Sequence, residues 1–270
     1  MSQTVPTIPS PSPSQFILEL EKVSKIYPNG TIALNDVSFK VKKGSFLAVI
    51  GLSGSGKSTM LRCINRLHEP TNGRILLEGQ DMGQLDPKQL RQARQKIGMV
   101  FQHFNLIERR SVLTNVLTGR LGSFSQNVFG GVLGAWPKAW VEEAYQALKL
   151  VGLESKAQVR ADGLSGGQQQ RVAIARSLLQ SPKVLLADEP VASLDPATSN
   201  SVMKYLQMLN QEMGMTIICN LHFLSLVREF ATDVIALKGG VKVFEGKPTE
   251  ITPQWFKDIY GEAAKEVEIH

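Results

Sequence analysis

Residues 45–59 read Ser45-Phe46-Leu47-Ala48-Val49-Ile50-Gly51-Leu52-Ser53-Gly54-Ser55-Gly56-Lys57-Ser58-Thr59. The run that ends at Ile50 is apolar, rich in β-forming residues and of strand length. The glycines that follow allow the backbone to turn back and to direct successive N–H groups toward one anion. Helical spacing from Thr59 to Leu67 then predicts a helix whose N-terminus faces the same point. The stretch therefore predicts a strand, a phosphate-binding loop and a helix.

The predicted loop contains the side chains that bind a nucleotide. Lys57 would lie against the β- and γ-phosphates, and the Ser58 hydroxyl would ligate Mg²⁺. The alternative is a glycine-rich turn with an exposed lysine and serine, but the spacing G-x-x-x-x-G-K-S is complete between strand and helix and argues against it. We expect nucleotide contacts from the whole loop: Gly51, Ser53, Gly54, Ser55, Gly56, Lys57, Ser58 and Thr59.

A second apolar strand, predicted from Lys183 to Ala187, ends at two carboxylates. Its run of valine and leucine is typical of a strand buried on both faces of a parallel sheet. Asp188 follows at the carboxyl end, where open α/β sheets bind ligands, and would hold Mg²⁺ directly or through water. Glu189 would point at the γ-phosphate as the base for an attacking water. Two solvated carboxylates at a strand end are the alternative.

An octapeptide lies between the loop and the acidic strand end: Leu164-Ser165-Gly166-Gly167-Gln168-Gln169-Gln170-Arg171. The three elements in this order resemble the ATP-binding subunits of ABC transporters, and the octapeptide matches that family's signature motif. The resemblance implies an α/β fold: a phosphate-loop (RecA-like) ATPase core with an antiparallel β layer and a helical subdomain that contains the signature.

Two further residues after predicted strands match motifs of this family. Gln102 follows the strand Ile97–Phe101 and matches the Q-loop glutamine, which contacts Mg²⁺ or the water and senses the γ-phosphate. His222 follows the strand Met215–Cys219 and matches the switch histidine, which holds the γ-phosphate, the water and the base. Its neighbour Phe223 stands where many relatives have an acidic residue. The resemblance thus implies four catalytic residues: Lys57, Gln102, Glu189 and His222. It also implies three Mg²⁺ ligands: Ser58, Gln102 and Asp188.

The resemblance also implies that two copies of the chain share each nucleotide. In the family, two subunits meet head to tail, and each ATP lies between the loop of one chain and the signature of the other. The N-terminus of a helix that starts at the signature would face the partner's γ-phosphate. Tyr27 matches the aromatic residue that stacks on adenine, and Asp195 belongs to the D-loop at the dimer interface. The signature contacts would come from Ser165, Gly166, Gly167 and Gln168, and the glycines would permit close backbone approach.

The substrate is indicated only by a closer resemblance within the family. Three segments look like those of phosphonate-import ATPases: Phe101–Gly122, Ala187–Pro196 and Leu221–Phe223. Phosphite, phosphate and polar amino acid importers share most of these residues and remain alternatives. An efflux ATPase and a soluble ABC ATPase of DNA repair or translation are less favoured. The resemblance implies integral membrane permease subunits as partners, a periplasmic binding protein indirectly, and a peripheral position on the cytoplasmic face of the bacterial inner membrane.

Composition agrees with this interpretation. The chain has 270 residues, 43% hydrophobic and 20% charged, which suits one large α/β domain with a smaller subdomain. No apolar run of about 18 residues or more predicts a membrane helix. The net charge of +6 is scattered, without basic runs interleaved with aromatics, so we expect no nucleic-acid partner. Cys63 and Cys219 are expected to be small buried hydrophobes in a reducing compartment.

The domain organisation follows from changes of pattern along the chain. Residues 1–15 are rich in serine and proline and are expected to be a disordered leader. The ATP-binding domain is predicted over 16–247, with a helical subdomain at about 103–180 that contains a glycine- and serine-rich loop from Gly122 to Ala135. Residues 248–270 are predicted to be a short helical tail.

Overall fold

The computed structural model of the protein describes residues 15–123 and 136–261. The predicted leader up to residue 14, most of the predicted loop at 122–135 and the end of the tail at 262–270 lie outside the described residues.

The bounds of the regular elements in this part of the chain are as follows. The strands are β1 (Phe16–Ile26), β2 (Ile32–Lys42), β3 (Phe46–Ile50), β4 (Asn72–Leu77), β5 (Gln80–Asp81), β6 (Ile97–Val100), β7 (Val184–Ala187), β8 (Thr216–Asn220), β9 (Asp233–Lys238) and β10 (Val241–Gly246). The α-helices are α1 (Lys57–Ile64), α2 (Pro87–Gln95), α3 (Val112–Leu117), α4 (Lys138–Leu150), α5 (Gly166–Leu178), α6 (Pro196–Gln211), α7 (Leu224–Phe230) and α8 (Pro253–Tyr260).

The larger sheet has the strand order β10-β9-β3-β8-β7-β6. From β9 to β6 all neighbours are parallel, and β10 joins the edge antiparallel to β9. Every residue of β3, β7 and β8 is buried, as expected for apolar runs covered on both faces. The predicted α/β fold class is therefore confirmed.

The predicted antiparallel layer is the smaller sheet, with the order β2-β1-β4-β5. Its buried residues share one apolar core with one face of the larger sheet and with α1, which contributes Met60, Leu61, Cys63 and Ile64. The second core lies on the other face of the larger sheet and includes residues of α3, α4, α5 and α6. Both cysteines are buried, and burial raises the pKa of the Cys63 thiol to about 11.

The helix after the loop begins earlier and ends earlier than predicted. It starts at Lys57 rather than at Thr59, directly after Gly56 in the left-handed conformation. It ends at Ile64 rather than at Leu67, because Arg66 is left-handed and the Asn65 side chain accepts a hydrogen bond from the Leu67 N–H, 3.0 Å away. Lys57 is thus the first residue of the helix.

None of the helices in residues 15–123 and 136–261 is long and apolar enough to cross a membrane.

Candidate functional site

Three groups of predicted site residues follow three neighbouring strands of the larger sheet. The loop follows β3, Asp188 and Glu189 follow β7, and His222 lies two residues after β8. The order β3-β8-β7 makes these strands direct neighbours, and all run parallel. Because the carboxyl ends of parallel strands meet at one edge, the three segments converge there.

The loop is built so tightly that two of its glycines have no room for a side chain. Gly51 has a φ of 146°, and a Cβ there would lie 2.2 Å from the Leu237 carbonyl oxygen. Gly56 has a φ of 104°, and its Cβ would lie 2.4 Å from the Ala33 carbonyl oxygen. Glycine is therefore required at both positions to form this loop against β9 and β2.

Lys57 is buried, with 4% of its surface exposed, and points back into its own loop. Its ammonium donates to the carbonyl oxygens of Gly51, at 2.8 Å, and Leu52, at 3.1 Å. Burial lowers the pKa of Lys57, and the negative charges of Glu189 and Asp188 partly oppose that shift. The loop thus holds a desolvated cation close to two carboxylates.

Asp188 is the centre of a hydrogen-bonded group at the sheet edge. It is 3% exposed, and its Oδ1 accepts from the Ser58 hydroxyl and from Asn220 Nδ2, each at 2.7 Å. Arg62 lies 3.9 Å from Asp188 Oδ2. Carboxylate and hydroxyl oxygens are ligands that Mg²⁺ prefers. Within the described residues the buried Asn220 Oδ1 has no hydrogen-bond partner, which fits a site completed by an ion and its waters.

Glu189 and His222 form a second pair beside this group. His222 Nε2 lies 2.7 Å from Glu189 Oε1, and the two side chains keep 25% and 16% of their surface exposed. The hydrogen bond from His222 is the main cause that lowers the pKa of Glu189, and its charge and that of Lys57 act in the same direction. The Glu189 backbone is left-handed, with a φ of 51°, a strained conformation that is typical of functional sites. The pair presents an ionised, accessible carboxylate.

Tyr27 lies at the entrance of the loop helix. Its hydroxyl shares hydrogen bonds with Thr59 Oγ1, at 3.2 Å, and with His68 Nδ1, at 3.0 Å. The Tyr27 and His68 rings meet edge to face at 5.7 Å. The ring is partly buried and fixed at its hydroxyl end next to the phosphate loop.

Gln102 is the one predicted catalytic residue that the structure does not bring into this group. It is exposed and lines a separate cavity of about 330 Å³. The other lining residues are His103, Phe104, Asn105, Leu106, Glu108, Ala161, Gln169 and Ser193. The loop after Gln102 is tied to the signature helix, because Arg176 of α5 donates to the Phe104 carbonyl oxygen at 2.9 Å. In the loop that follows, Leu106 packs partly on the core, whereas Ile107 is 52% exposed.

The signature residues start helix α5, as predicted. Ser165 is the N-cap, its hydroxyl accepts from the Gln168 N–H, and the Gln168 side chain bonds back to the Ser165 N–H. Packing within the chain also requires glycine at position 167, which the sequence pattern did not predict. A Cβ there would lie 2.1 Å from Thr198 Cγ2, on the helix that Asp195 caps. Among the described residues, no hydrogen bond or ion pair joins 165–168 to the loop at 51–59.

Sequence reading missed two side chains of the site. Asn220, which donates to Asp188, belongs to none of the motifs recognised in the sequence. A polar residue at the end of a wholly buried strand was the available signal. Tyr260, in the C-terminal tail, accepts a hydrogen bond from the Gly51 N–H at 3.1 Å. No local pattern connects these residues, because they are separated by 209 positions.

Comparisons with known proteins agree with this geometry. A family model described as ABC transporter matches residues 34–192. The chain is 58% identical over 255 residues to the Phosphonates import ATP-binding protein PhnC of Bdellovibrio bacteriovorus, covering 94% of this chain and 97% of the relative. It is 50% identical to the protein of the same name from Bacillus thuringiensis subsp. konkukian, covering 94% and 98%. Among solved structures, the ATP-binding cassette MJ0796, in a dimeric post-hydrolysis state bound to ADP and Pi, is 38% identical with a TM-score of 0.75, covering 86% and 98%.

Proposed function

The chain belongs to the ABC transporter family, and on that basis we propose that it is the ATP-hydrolysing subunit of a bacterial importer that takes up phosphonates. The observation that carries the proposal is the convergence of Lys57, the Ser58–Asp188 pair and the Glu189–His222 pair at one sheet edge. The names of the relatives at 58% and 50% identity support the substrate.

ATP would bind at the loop, with Mg²⁺ held beside it. The N–H groups between Ser53 and Thr59 and the Lys57 ammonium would surround the phosphates, and Tyr27 would stack on adenine. Ser58 and Asp188 would hold the ion, which when bound supplies positive charge to the phosphate oxygens. Gln102 would join them after its loop moves. Its position supports this, because it follows β6, where the Val100 carbonyl oxygen accepts from the Asp188 N–H at 2.8 Å.

Glu189 would accept a proton from the attacking water. Its lowered pKa keeps it ionised at neutral pH, and the His222 hydrogen bond fixes the carboxylate, which would face the γ-phosphate. His222 would also contact the γ-phosphate, so that loss of this phosphate changes its contacts. Asn220 would keep Asp188 oriented through the buried 2.7 Å hydrogen bond.

The signature would complete the site of a second copy of the chain. Ser165 and Gln168 cap their own helix, Lys156 also donates to Gln168 at 3.2 Å, and the N-terminus of α5 is a helix end that favours an anion. Gly166 and Gly167 would allow the partner's nucleotide to approach this end. Asp195 would lie at the interface of this homodimer. The dimeric state of the similar MJ0796 cassette supports this arrangement. Binding of ATP would close the dimer, and hydrolysis would open it.

The cavity beside Gln102 is proposed as the docking site of the membrane permease. It lies between the loop after β6 and the signature helix, and the exposed Ile107 adjoins it. A permease helix seated there would contact the element that we expect to respond to the γ-phosphate. We accordingly place the protein at the cytoplasmic face of the inner membrane, with a periplasmic binding protein as an indirect partner.

Uptake by a strain that lacks this gene tests the proposal. Methylphosphonate, 2-aminoethylphosphonate, phosphite and phosphate are supplied separately as the sole phosphorus source, and the strain is complemented with wild type or with Glu189→Gln. We expect loss of phosphonate uptake alone, restored by wild type and not by the variant. Loss of phosphite or phosphate uptake instead would keep the importer role and change the assigned substrate. Unchanged uptake of all four compounds would contradict the proposed transport role.

A further inference from the structure

The C-terminal helix returns to the start of the phosphate loop. Tyr260, the last residue of α8, is 2% exposed, and its hydroxyl accepts from the Gly51 N–H at 3.1 Å. Burial raises the pKa of Tyr260 to about 12, so the phenol stays neutral in the physiological range. A residue outside the loop, the signature and the carboxylate pairs thus contacts the backbone that begins the nucleotide site.

Hydrogen bonds hold Gly51 at both its N–H and its carbonyl oxygen. Tyr260 holds its N–H, and the Lys57 ammonium holds its carbonyl oxygen at 2.8 Å. The Leu237 carbonyl oxygen leaves no room for a side chain between them. Since rotation about the two bonds of Gly51 sets the direction of the following N–H groups, these two hydrogen bonds define how the loop leaves β3.

The two contacts differ in what nucleotide binding does to them. According to the proposed function, on which this step rests, Lys57 turns to the phosphates when ATP binds and its hydrogen bond to Gly51 is lost. The Gly51 N–H that bonds to Tyr260 is not one of the groups proposed to surround the phosphates, so this hydrogen bond can persist. In the bound state it is then the side-chain contact that still holds Gly51.

The tail is anchored well enough to fulfil this role. Ile251 and Ile259 are each 2% exposed and belong to the same core as β3 and β8. Arg228 of α7 donates to the Ile251 carbonyl oxygen at 3.3 Å, and the Phe244 and Trp255 rings pack edge to face at 4.6 Å. Core packing of Ile259 and the contact between Trp255 and Phe244 thus anchor the helix that presents the phenol.

We propose that Tyr260 is a positioning residue of the phosphate loop, which makes the C-terminal helix part of the ATP site. It acts through Gly51 and does not touch the nucleotide. Its contribution is to keep the loop in the binding conformation after Lys57 has left Gly51.

The test is Tyr260→Phe, which keeps the buried ring and removes only the hydroxyl group. We expect KM for ATP and Kd for ADP to rise about fivefold, since an unpaired buried N–H weakens the bound conformation. We expect kcat to change less than KM, because Glu189 and His222 are untouched. The matched control is Tyr145→Phe, which removes a hydroxyl that accepts from Gln158 at 3.1 Å in the helical region. It should leave both constants unchanged.

A second measurement does not depend on the variant's stability. Hydrogen exchange of the Gly51 amide in wild-type protein should be slow without nucleotide and remain slow with ADP bound. Fast exchange in the bound state, or a folded Tyr260→Phe protein with wild-type KM and Kd, would overturn the inference. If wild-type protein itself failed to bind ATP, the proposed function would fail instead, so the two failures are distinguishable.

Discussion

The sheet edge with Asp188 and Glu189 and the helix start at Ser165 are two halves of one predicted chemistry, yet they are built differently. At the sheet edge, side chains from separate segments bond to one another, as Ser58 does to Asp188 and His222 to Glu189. At the helix start, Ser165 and Gln168 bond to their own backbone. One half is assembled within the chain, whereas the other is a helix end whose proposed ligand would come from a second copy of the chain.

The difference has a physical origin. Parallel strands bring residues from distant parts of the sequence to a common edge, where a buried aspartate has to find donors within the chain. A helix N-terminus instead exposes N–H groups that the helix cannot use, so it can bind an anion without rearrangement. A dimer that joins the two halves would pair a prepared catalytic group with a prepared anion site.

Glu189→Gln should cause the largest loss of activity, because it changes the proposed base at the sheet edge. The amide cannot accept the water proton, so steady-state ATP hydrolysis should fall by about 10²–10⁴-fold, while ATP binding remains. Size-exclusion chromatography with ATP should then show an accumulated dimer. Glu78→Gln is the matched control, because it weakens ion pairs to Lys96 and Lys183 away from the site. Full turnover by Glu189→Gln would remove the role assigned to this residue.

Asn220→Leu should loosen the same half without removing a proposed ligand. Asp188 would lose a buried donor at 2.7 Å and could rotate, so the Mg²⁺ concentration for half-maximal turnover should rise. The effect expected for such a supporting residue is roughly 10-fold or more. Asn210→Leu is the control, because in the described part of the chain the Asn210 side chain donates to the carbonyl oxygens of Gly44 and Met215, away from Asp188. If both variants showed the same Mg²⁺ dependence, Asn220 would be merely structural.

The two halves also differ in how far the sequence predicts them. The phosphate loop follows from the spacing of neighbouring residues, and the helix start at Ser165 is implied by the resemblance of the octapeptide to the family's signature motif. Asn220 and Tyr260 escape, because their partners Asp188 and Gly51 are distant in sequence and are brought near by sheet order and by the returning tail. The packing requirement for glycine at 167 is not predicted either, because Thr198 is also distant in sequence.

Gly167→Ala tests whether the shaped surface serves the chain itself or the partner. Its Cβ would meet Thr198 Cγ2, and overpacking of this kind costs about 1–3 kcal/mol of unfolding free energy. Thr198→Ser removes that methyl group, so the double variant should recover the lost Tm. Recovery of ATPase turnover together with Tm would mean that glycine is needed only for packing.

If Tm recovers and turnover does not, the glycine also serves the partner's nucleotide, which is the outcome we expect. A Tm for Gly167→Ala equal to that of wild type would contradict the packing role.

Lys57→Met should have the smallest effect on stability and yet separate stability from function. Burial holds the Lys57 pKa below its ordinary value of 10.5, so at neutral pH the buried, charged ammonium lowers the free energy of unfolding. This loss of unfolding free energy is complete below the pKa of Lys57 in the folded state and disappears as pH rises toward 10.5. Methionine removes the charge but leaves two carbonyl oxygens without their donor, so we expect a net gain of about 0.5 kcal/mol or less.

Thermal unfolding of the nucleotide-free protein from pH 7 upward measures this difference between Lys57→Met and wild type. The Tm of the variant should equal or slightly exceed that of wild type at pH 7, and the difference should shrink as pH rises. The stabilisation of wild type by ATP should be absent in the variant. A clear loss of Tm in the empty variant would show that the ammonium stabilises the empty loop. Lys57 would then stabilise the nucleotide-free fold through its own hydrogen bonds, as Asp188 does, in addition to any contact with the phosphates.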